Sequence, residues 1–251
     1  MLDWFVAHWV TLAVALPTLV VGYTIFGIAG FGAALIVAPI LAHVIPVADI
    51  VPMLAVLDMV AAFVGGFRLS DKIARRELAW LAPLMVIGSI VGVRLLLTLP
   101  PQIMMAALGI FCVGYAIYSF ISPAARRHIS QYWVLPFGLV GGVFSSMFAT
   151  GGPIYAAYLS RRVDDKDAIR ATVTTLIGLA TVTRVILFTL SGVYSDWTLL
   201  TMALALAPAM ALGTWLGHSI TMKLSREHFL RMLYTLMIAS GSSLIIRALW
   251  A

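Results

Sequence analysis

Apolar residues form eight long runs along this chain, separated by short polar connections. The runs cover residues 8–42, 50–67, 78–99, 103–121, 132–159, 171–190, 197–221 and 229–250. Most of them are close to the ~20 residues that an α-helix needs to cross the hydrocarbon core of a bilayer. The pattern therefore predicts an all-α polytopic membrane protein, since a membrane β-barrel would show short strands of alternating polarity.

Two of the runs are too long for a single crossing and contain helix-breaking residues. A helix of about thirty residues, as in run 132–159, would extend ~45 Å across a core of ~30 Å. That run contains Thr150-Gly151-Gly152-Pro153, and run 8–42 contains GIAGFGAALIVAPIL at 27–41. Each run is predicted to form a hairpin of two half-helices, of about fifteen residues each in run 132–159, that enters the membrane and returns. Eight unbroken spans are the alternative.

Basic residues are distributed unevenly over the connections and predict the topology. They are concentrated at residues 68–76, 126–127, 161–170 and 223–231, and they are absent from 43–49, 99–102 and 191–196. Because cytoplasmic loops carry an excess of Lys and Arg, the basic connections are predicted to be cytoplasmic. The connections on both sides of run 132–159 are basic, which one crossing cannot satisfy. The result is two hairpins and six spans, with both termini outside.

Composition narrows the class of protein further. A mean hydropathy of +1.05, with 62% hydrophobic and 10% charged residues, excludes an ordinary soluble domain. The net charge of +6 follows from the loop bias and does not indicate nucleic acid.

A single cysteine, Cys112, and histidines without metal-ligand spacing argue against a disulfide, a metal site or another cofactor. The N-terminus lacks a basic region and a cleavage site, so it is interpreted as mature sequence.

The two halves of the chain resemble each other. APLMVIGSIVG at 82–92 matches APAMALGTWLG at 207–217, and Gly32 aligns loosely with Gly151. This similarity predicts two repeats of one membrane domain, 1–125 and 126–251, each with a Gly-broken hairpin and three transmembrane helices. Because three crossings are an odd number, the second repeat is predicted to be inverted, as in many transporters. Four glycines in the matching segments are interpreted as helix-packing positions: Gly88, Gly92, Gly213 and Gly217.

The two helix breaks are candidate elements of an anion site. A half-helix that starts inside the membrane presents free N–H groups and a positive dipole end. Glycines there let an oxyanion approach the backbone, and Pro153 suits the first helical position. The ends at Gly30–Ala34 and Thr150–Pro153 are predicted to hold one tetrahedral anion near the midplane. The predicted substrate-binding residues are Gly30, Gly32, Ala33, Ser145, Ser146, Thr150, Gly151, Gly152 and Arg184. The alternative for the two serines is a bond back to their own helix.

Ionisable residues inside the runs add to this picture. Asp58 and Arg184 lie deep in apolar segments, where a charged group needs a partner or a cavity. Arg184 is a candidate for direct contact with two substrate oxygens, or alternatively for pairing with Asp58. Because burial disfavours a charged carboxylate, Asp58 could carry a coupling proton, or it could serve as a fixed counter-charge. Arg94 lies near a segment end and is interpreted as snorkelling to the interface.

The broken segments and the repeats resemble the TauE/SafE family of sulfite and sulfonate exporters. The second motif, FATGGPIYAAYL, matches the family well, whereas the first departs from it, because Gly32-Ala33-Ala34 stands where the family often has more glycine. The resemblance covers essentially the whole chain. It implies transport of small sulfur oxyanions or organosulfonates across a prokaryotic inner membrane. A homodimer is among the oligomeric states that the sequence leaves open.

Three other functions are alternatives to a secondary carrier. An intramembrane serine enzyme would use Ser145 or Ser146 with His218, but the sequence has no Gly-x-Ser-x-Gly motif and no acidic residue beside that histidine. The protein is therefore expected not to be an enzyme. A partner-dependent membrane subunit would not need paired helix breaks. An anion channel with the same site cannot be distinguished from the sequence, because only the coupling to a gradient differs.

Overall fold

The computed structural model describes residues 9–29, 32–64, 72–121, 128–195, 197–220 and 226–250. In these ranges the chain is helical and contains no β-strand. The helices are α1 (Trp9–Ala29), α2 (Ala33–Leu41), α3 (Val47–Val64), α4 (Arg75–Thr98), α5 (Pro101–Ile121), α6 (Val134–Phe148), α7 (Gly151–Leu159), α8 (Lys166–Leu190), α9 (Trp197–Ile220) and α10 (Arg226–Trp250). Short 3₁₀ turns precede α6 at Gln131–Trp133 and α9 at Val193–Ser195. The prediction of an all-α protein is confirmed.

Both overlong runs are interrupted where the sequence predicts. The first divides into α1 and α2, and Gly32 caps α2 in a left-handed conformation with φ of 98°. The second divides into α6 and α7, and Ala149 reverses the chain with φ of 57°. An alanine in this conformation is strained relative to glycine. The predicted break residue Gly30 lies outside the described residues.

The arms of each hairpin lie against each other. A Cβ added to Gly141, in α6, would be 2.2 Å from the ring of Tyr155, in α7. A Cβ added to Gly22, in α1, would be 2.3 Å from Val37, in α2. These contacts join residues on opposite sides of each break, so the chain folds back on itself in both places.

Two details of the second hairpin differ from the prediction. Helix α6 has 15 residues but α7 has only nine, so the prediction of arms of about fifteen residues is wrong for α7. The break lies close to the polar residues that follow Leu159, which leaves little apolar chain for the second arm. Pro153 is the third helical residue and not the first, because the helix begins at Gly151. It still lies in the first turn, where its missing N–H costs no intrahelical bond.

Among the described residues, five helices are long and apolar enough to cross a membrane, judged by length and composition. The qualifying segments are Thr11–Ile28, Arg75–Thr98, Pro101–Ser119, Lys166–Leu190 and Trp197–Gly217. The first of them belongs to α1, which the sequence assigns to a hairpin. These segments confirm a multi-pass membrane protein. The six-span topology with two re-entrant hairpins stays a prediction.

The matching glycines of the two halves bring helix backbones together. A Cβ added to Gly88, in α4, would be 2.2 Å from the carbonyl oxygen of Leu139, in α6. A Cβ added to Gly217, in α9, would be 2.4 Å from the carbonyl oxygen of Thr24, in α1. Gly92 and Gly213 make equivalent close approaches. Their interpretation as packing positions is confirmed, and each hairpin is supported by a helix from the other half of the chain.

Replacing Gly88 by alanine is expected to lower the thermal stability of the purified protein. The new methyl group would meet backbone of α6, which cannot move aside cheaply, and overpacking of this kind costs ~1–3 kcal/mol. Gly114→Ala is the matched control, because nothing lies within 4 Å of a Cβ at this position in α5. The control should be neutral or stabilised by ~1 kcal/mol through helix propensity. Equal melting temperatures for the two variants in detergent would contradict this account of the α4–α6 contact.

Candidate functional site

A cavity lies where the two helix breaks meet. One side is formed by the start of α2 at 32–35 and the other by the α6–α7 junction at 149–153. Asp58 from α3 and Arg184 from α8 complete the wall. The structure thus gathers most of the predicted site residues around one space, namely Gly32, Ala33, Asp58, Ser145, Thr150, Gly151, Gly152 and Arg184. Ser146 is buried beside the cavity and does not line it.

The start of α7 presents polar groups without internal partners. Thr150 occupies the N-cap position, but its side chain makes no capping hydrogen bond. Its hydroxyl is buried and has no partner at all. The first N–H groups of a helix have no carbonyl to bind within the helix, and they carry the positive end of its dipole. This end of α7 can therefore accept a negatively charged group from the cavity.

Arg184 is the largest fully buried polar side chain among the described residues, with 2% of its surface exposed. Its guanidinium donates to the carbonyl oxygen of Ser145 at 3.2 Å and to the hydroxyl of Thr181 at 3.0 Å. A third contact is the ion pair with Asp58 at 3.3 Å. The Nε atom has no partner. The structure thus contains the predicted alternative, the Asp58 pair, and leaves one donor of Arg184 unused.

Asp58 has two partners from different helices. Its Oδ2 atom faces Arg184, and its Oδ1 atom accepts a hydrogen bond of 2.8 Å from the hydroxyl of Tyr23. Tyr23 lies in α1 and has no exposed surface. The sequence did not identify this residue, because a tyrosine in an apolar run is typical of a packed core. Its role depends on a contact between α1 and α3 over 35 positions of sequence, which no local pattern shows.

Four buried side-chain polar atoms in the described part of the chain lack a hydrogen-bond partner. They are Ser146 Oγ, Thr150 Oγ1, Tyr155 OH and Arg184 Nε. Three of them belong to the α6–α7 hairpin, and the fourth comes from the arginine beside it. Such groups are rare in folded proteins and call for an explanation, such as a ligand or water. Because Ser146 Oγ is unbonded, the alternative that it bonds back to its own helix is wrong.

The two halves contribute different chemistry to the cavity. The second half supplies a hydroxyl from Thr150 and the guanidinium of Arg184, whereas the first half supplies Asp58 and the backbone at Gly32. The other first-half groups on the wall are apolar: Phe26, Ala33, Ala34 and Leu35. The departure of the first motif from the glycine-rich pattern is thus visible in the site. Its alanines line the wall where the second motif has Gly151 and Gly152.

The far end of α7 is fixed by a second polar cluster. Tyr158 donates to Glu77 at 2.7 Å, and Arg162 donates to the other oxygen of Glu77 at 3.0 Å. Arg162 also donates to the carbonyl oxygen of Ile129 at 3.2 Å. Glu77 is buried in the first turn of α4. Helix α7 is thereby fastened to α4 at its C-terminal end, while its N-terminal end faces the cavity.

Other candidate residues of the sequence lie away from the cavity. Arg94 is exposed in the last turns of α4, and its interpretation as a residue that snorkels to the interface stays a prediction. Cys112 is fully buried in α5. No group of His, Cys, Asp or Glu in the described part of the chain could hold a metal ion. The side chain of His218, the base of the enzyme alternative, lies outside the described residues.

Comparison with known proteins identifies similar sequences. Residues 14–244 match the model of the family described as "Sulfite exporter TauE/SafE". The chain is also 29% identical over 195 residues to the "Probable inner membrane transporter protein TsaS" of Comamonas testosteroni. This alignment covers 76% of the present chain and 81% of the relative. No solved structure matches the chain.

Proposed function

Because this chain belongs to the TauE/SafE sulfite exporter family, a family of multi-pass membrane transporters, we propose that it is a secondary carrier of small sulfur-containing oxyanions. The substrate class is sulfite or an organosulfonate, and the membrane is the prokaryotic inner membrane. The relative from Comamonas testosteroni carries the description of a probable inner membrane transporter, which agrees with this location.

The unpartnered donors beside the cavity carry this proposal. Thr150 and Arg184 line the wall with free hydrogen-bonding capacity, next to the N-terminal end of α7. A sulfite or sulfonate group has three oxygens, which accept hydrogen bonds and attract positive charge. The fork of an arginine matches two such oxygens at once. An anion in the cavity would therefore satisfy donors that have no hydrogen-bond partner in the protein.

The Asp58–Arg184 pair supplies a mechanism for binding and release. One of the contacts of Arg184 is the ion pair with Asp58, at the long distance of 3.3 Å. An arriving anion competes with the carboxylate for the same guanidinium. When the anion leaves, the carboxylate takes its place again and keeps the buried charge paired. The exchange lets a buried arginine bind a substrate without trapping it.

The two halves of the chain are proposed to be inverted repeats that rock against each other. Support comes from reciprocal packing: α4 of the first half packs on α6 of the second, and α9 of the second packs on α1 of the first. Helices α3 and α8 meet at the centre and carry Asp58 and Arg184. Alternating access in transporters of this architecture is a rocking of one repeat against the other around a fixed site.

Coupling to protons distinguishes the carrier from a channel. Asp58 is the candidate proton carrier, since it is the acidic residue on the cavity wall. In proteoliposomes, sulfite or sulfonate flux through the wild-type protein is expected to respond to an imposed pH gradient. The same gradient should have no effect on flux through Asp58→Asn, because the amide cannot bind and release a proton at these pH values.

Two outcomes of the flux assay would contradict this account. Flux down the anion gradient that ignores the pH gradient in the wild-type protein would favour the channel. A pH response that persists in Asp58→Asn would place the coupling group elsewhere. Glu77→Gln is a useful comparison, because this buried carboxylate lies at the other end of α7 and is not on the cavity wall.

A further inference from the structure

The carboxylate of Asp58 lies between two donors that have different relations to the substrate. Arg184 reaches Oδ2 from α8, and Arg184 is the proposed anion ligand. Tyr23 reaches Oδ1 from α1 at 2.8 Å, the shorter of the two contacts. Tyr23 itself is not on the cavity wall, and its ring packs against that of Phe26 at 5.9 Å. It therefore touches Asp58 without access to the anion.

The surroundings of Tyr23 fix the position of its hydroxyl. A Cβ added to Gly213, in α9, would lie 2.9 Å from the Cβ atom of Tyr23, so α9 packs closely against this part of α1. The side chain has no exposed surface and cannot turn toward water. A donor held this firmly keeps its hydrogen bond to Asp58 while Arg184 changes partner.

We infer that Tyr23 is a positioning residue, which holds the Asp58 carboxylate in place when the anion draws Arg184 away. This inference rests on the proposed function, because it requires an anion that competes with Asp58 for Arg184. Without the Tyr23 hydroxyl, the Asp58 carboxylate would have no partner in the anion-bound state. A buried charge without a partner is strongly unfavourable. In the empty state it would still have Arg184. Loss of the hydroxyl therefore penalises the bound state more than the empty state.

The experiment is a double-mutant cycle on anion affinity at pH 8, with sulfite and a small alkanesulfonate as probes. Tyr23→Phe is expected to weaken binding of the probe that the wild type binds by about tenfold, the lower end of the range for a hydrogen bond to a charged group. In the Asp58→Asn background the same change should alter affinity by about threefold or less. A buried neutral amide loses less free energy than a charged carboxylate when one hydrogen bond is removed. A residue that serves only packing would give equal effects in both backgrounds.

Tyr194→Phe is the matched control. This tyrosine also donates a partly buried hydrogen bond, to the carbonyl oxygen of Pro52 at 2.9 Å, and it does not line the cavity. Its replacement should leave anion affinity unchanged. A tenfold loss in the control would show that any lost tyrosine bond loosens the site, and it would overturn the specific role of Tyr23.

The remaining outcomes are also decisive. Equal or tighter anion binding by Tyr23→Phe would overturn the inference, as would the same loss in both backgrounds. Tyr23→Phe could fail to fold while Tyr23→Phe/Asp58→Asn folds. That result would show that the Tyr23 hydroxyl stabilises the buried charge of Asp58, and it would support the inference. If neither folds, the role is structural and the inference fails. Absence of binding by the wild type would instead defeat the proposed function.

Discussion

Replacement of Arg184 by glutamine is expected to reduce anion affinity by about a hundredfold. The change removes a buried guanidinium that offers an unpaired donor to the cavity, and loss of one partner of a buried charged contact costs ~2–5 kcal/mol. Titration calorimetry of the purified variant, with the anion that binds the wild type, would measure this loss of affinity. The variant also leaves Asp58 without its cation, so Arg184→Gln/Asp58→Asn should be measured beside it to separate anion binding from stability.

Arg94→Gln is the control for this prediction. Arg94 is also an arginine within a membrane helix, but it is exposed and is not part of the cavity. Its replacement should change affinity by less than about twofold, as expected for a surface charge distant from the site. Similar losses in the two variants would show that general positive charge, and not contact with Arg184, attracts the anion.

Replacement of Gly152 by valine is expected to abolish transport while the protein remains in the membrane. Gly152 is buried on the cavity wall in the first turn of α7, where the anion is proposed to approach the backbone. A branched side chain there would occupy that space and shield the N–H groups from the anion. Flux in proteoliposomes should fall at least about a hundredfold, which corresponds to ~2.7 kcal/mol. The amount of protein in the membrane should stay unchanged.

A comparison of variants at Gly151 and Gly152 separates obstruction of the cavity from loss of packing in the hairpin. A Cβ added to Gly151 would lie 2.8 Å from the carbonyl oxygen of Gly141, so this glycine lets α7 pack against α6. Gly151→Val is therefore expected to lower both thermal stability and transport, whereas Gly152→Val affects transport. Gly114→Val, at an open position, should affect neither. Normal flux through Gly152→Val would remove the proposal that the start of α7 holds the anion.

The positions of the helix breaks could be predicted because their chemistry is local. Gly151-Gly152-Pro153 lies in a run too long for one crossing, and this combination favours a helix start wherever it occurs. The depth of Asp58 and Arg184 in apolar segments likewise indicated that each needs a partner, and the structure pairs them. In both cases the cost of a buried polar group restricts the arrangements that a sequence can adopt.

Other features depend on contacts between distant parts of the chain. Tyr23 reaches Asp58 across 35 positions, and the Glu77 carboxylate reaches Tyr158 across 81. Tyrosines in apolar runs are typical of packed cores, so nothing local marks these two or the unpartnered Tyr155 as polar contacts. The prediction of two equal hairpin arms is wrong for α7, because the break lies only a few residues before Arg161 and Arg162.

The central claim is that an anion binds between the two helix breaks through Arg184. Thermal unfolding of the detergent-purified protein tests it with sulfite, thiosulfate, sulfoacetate, taurine, a carboxylate analogue and chloride at fixed ionic strength. We expect one sulfur oxyanion or sulfonate to raise the melting temperature of the wild type by about 5 °C at a hundredfold excess over its Kd, and to leave Arg184→Gln unchanged. No shift with any of these anions, or an equal shift in the variant, would contradict the claim.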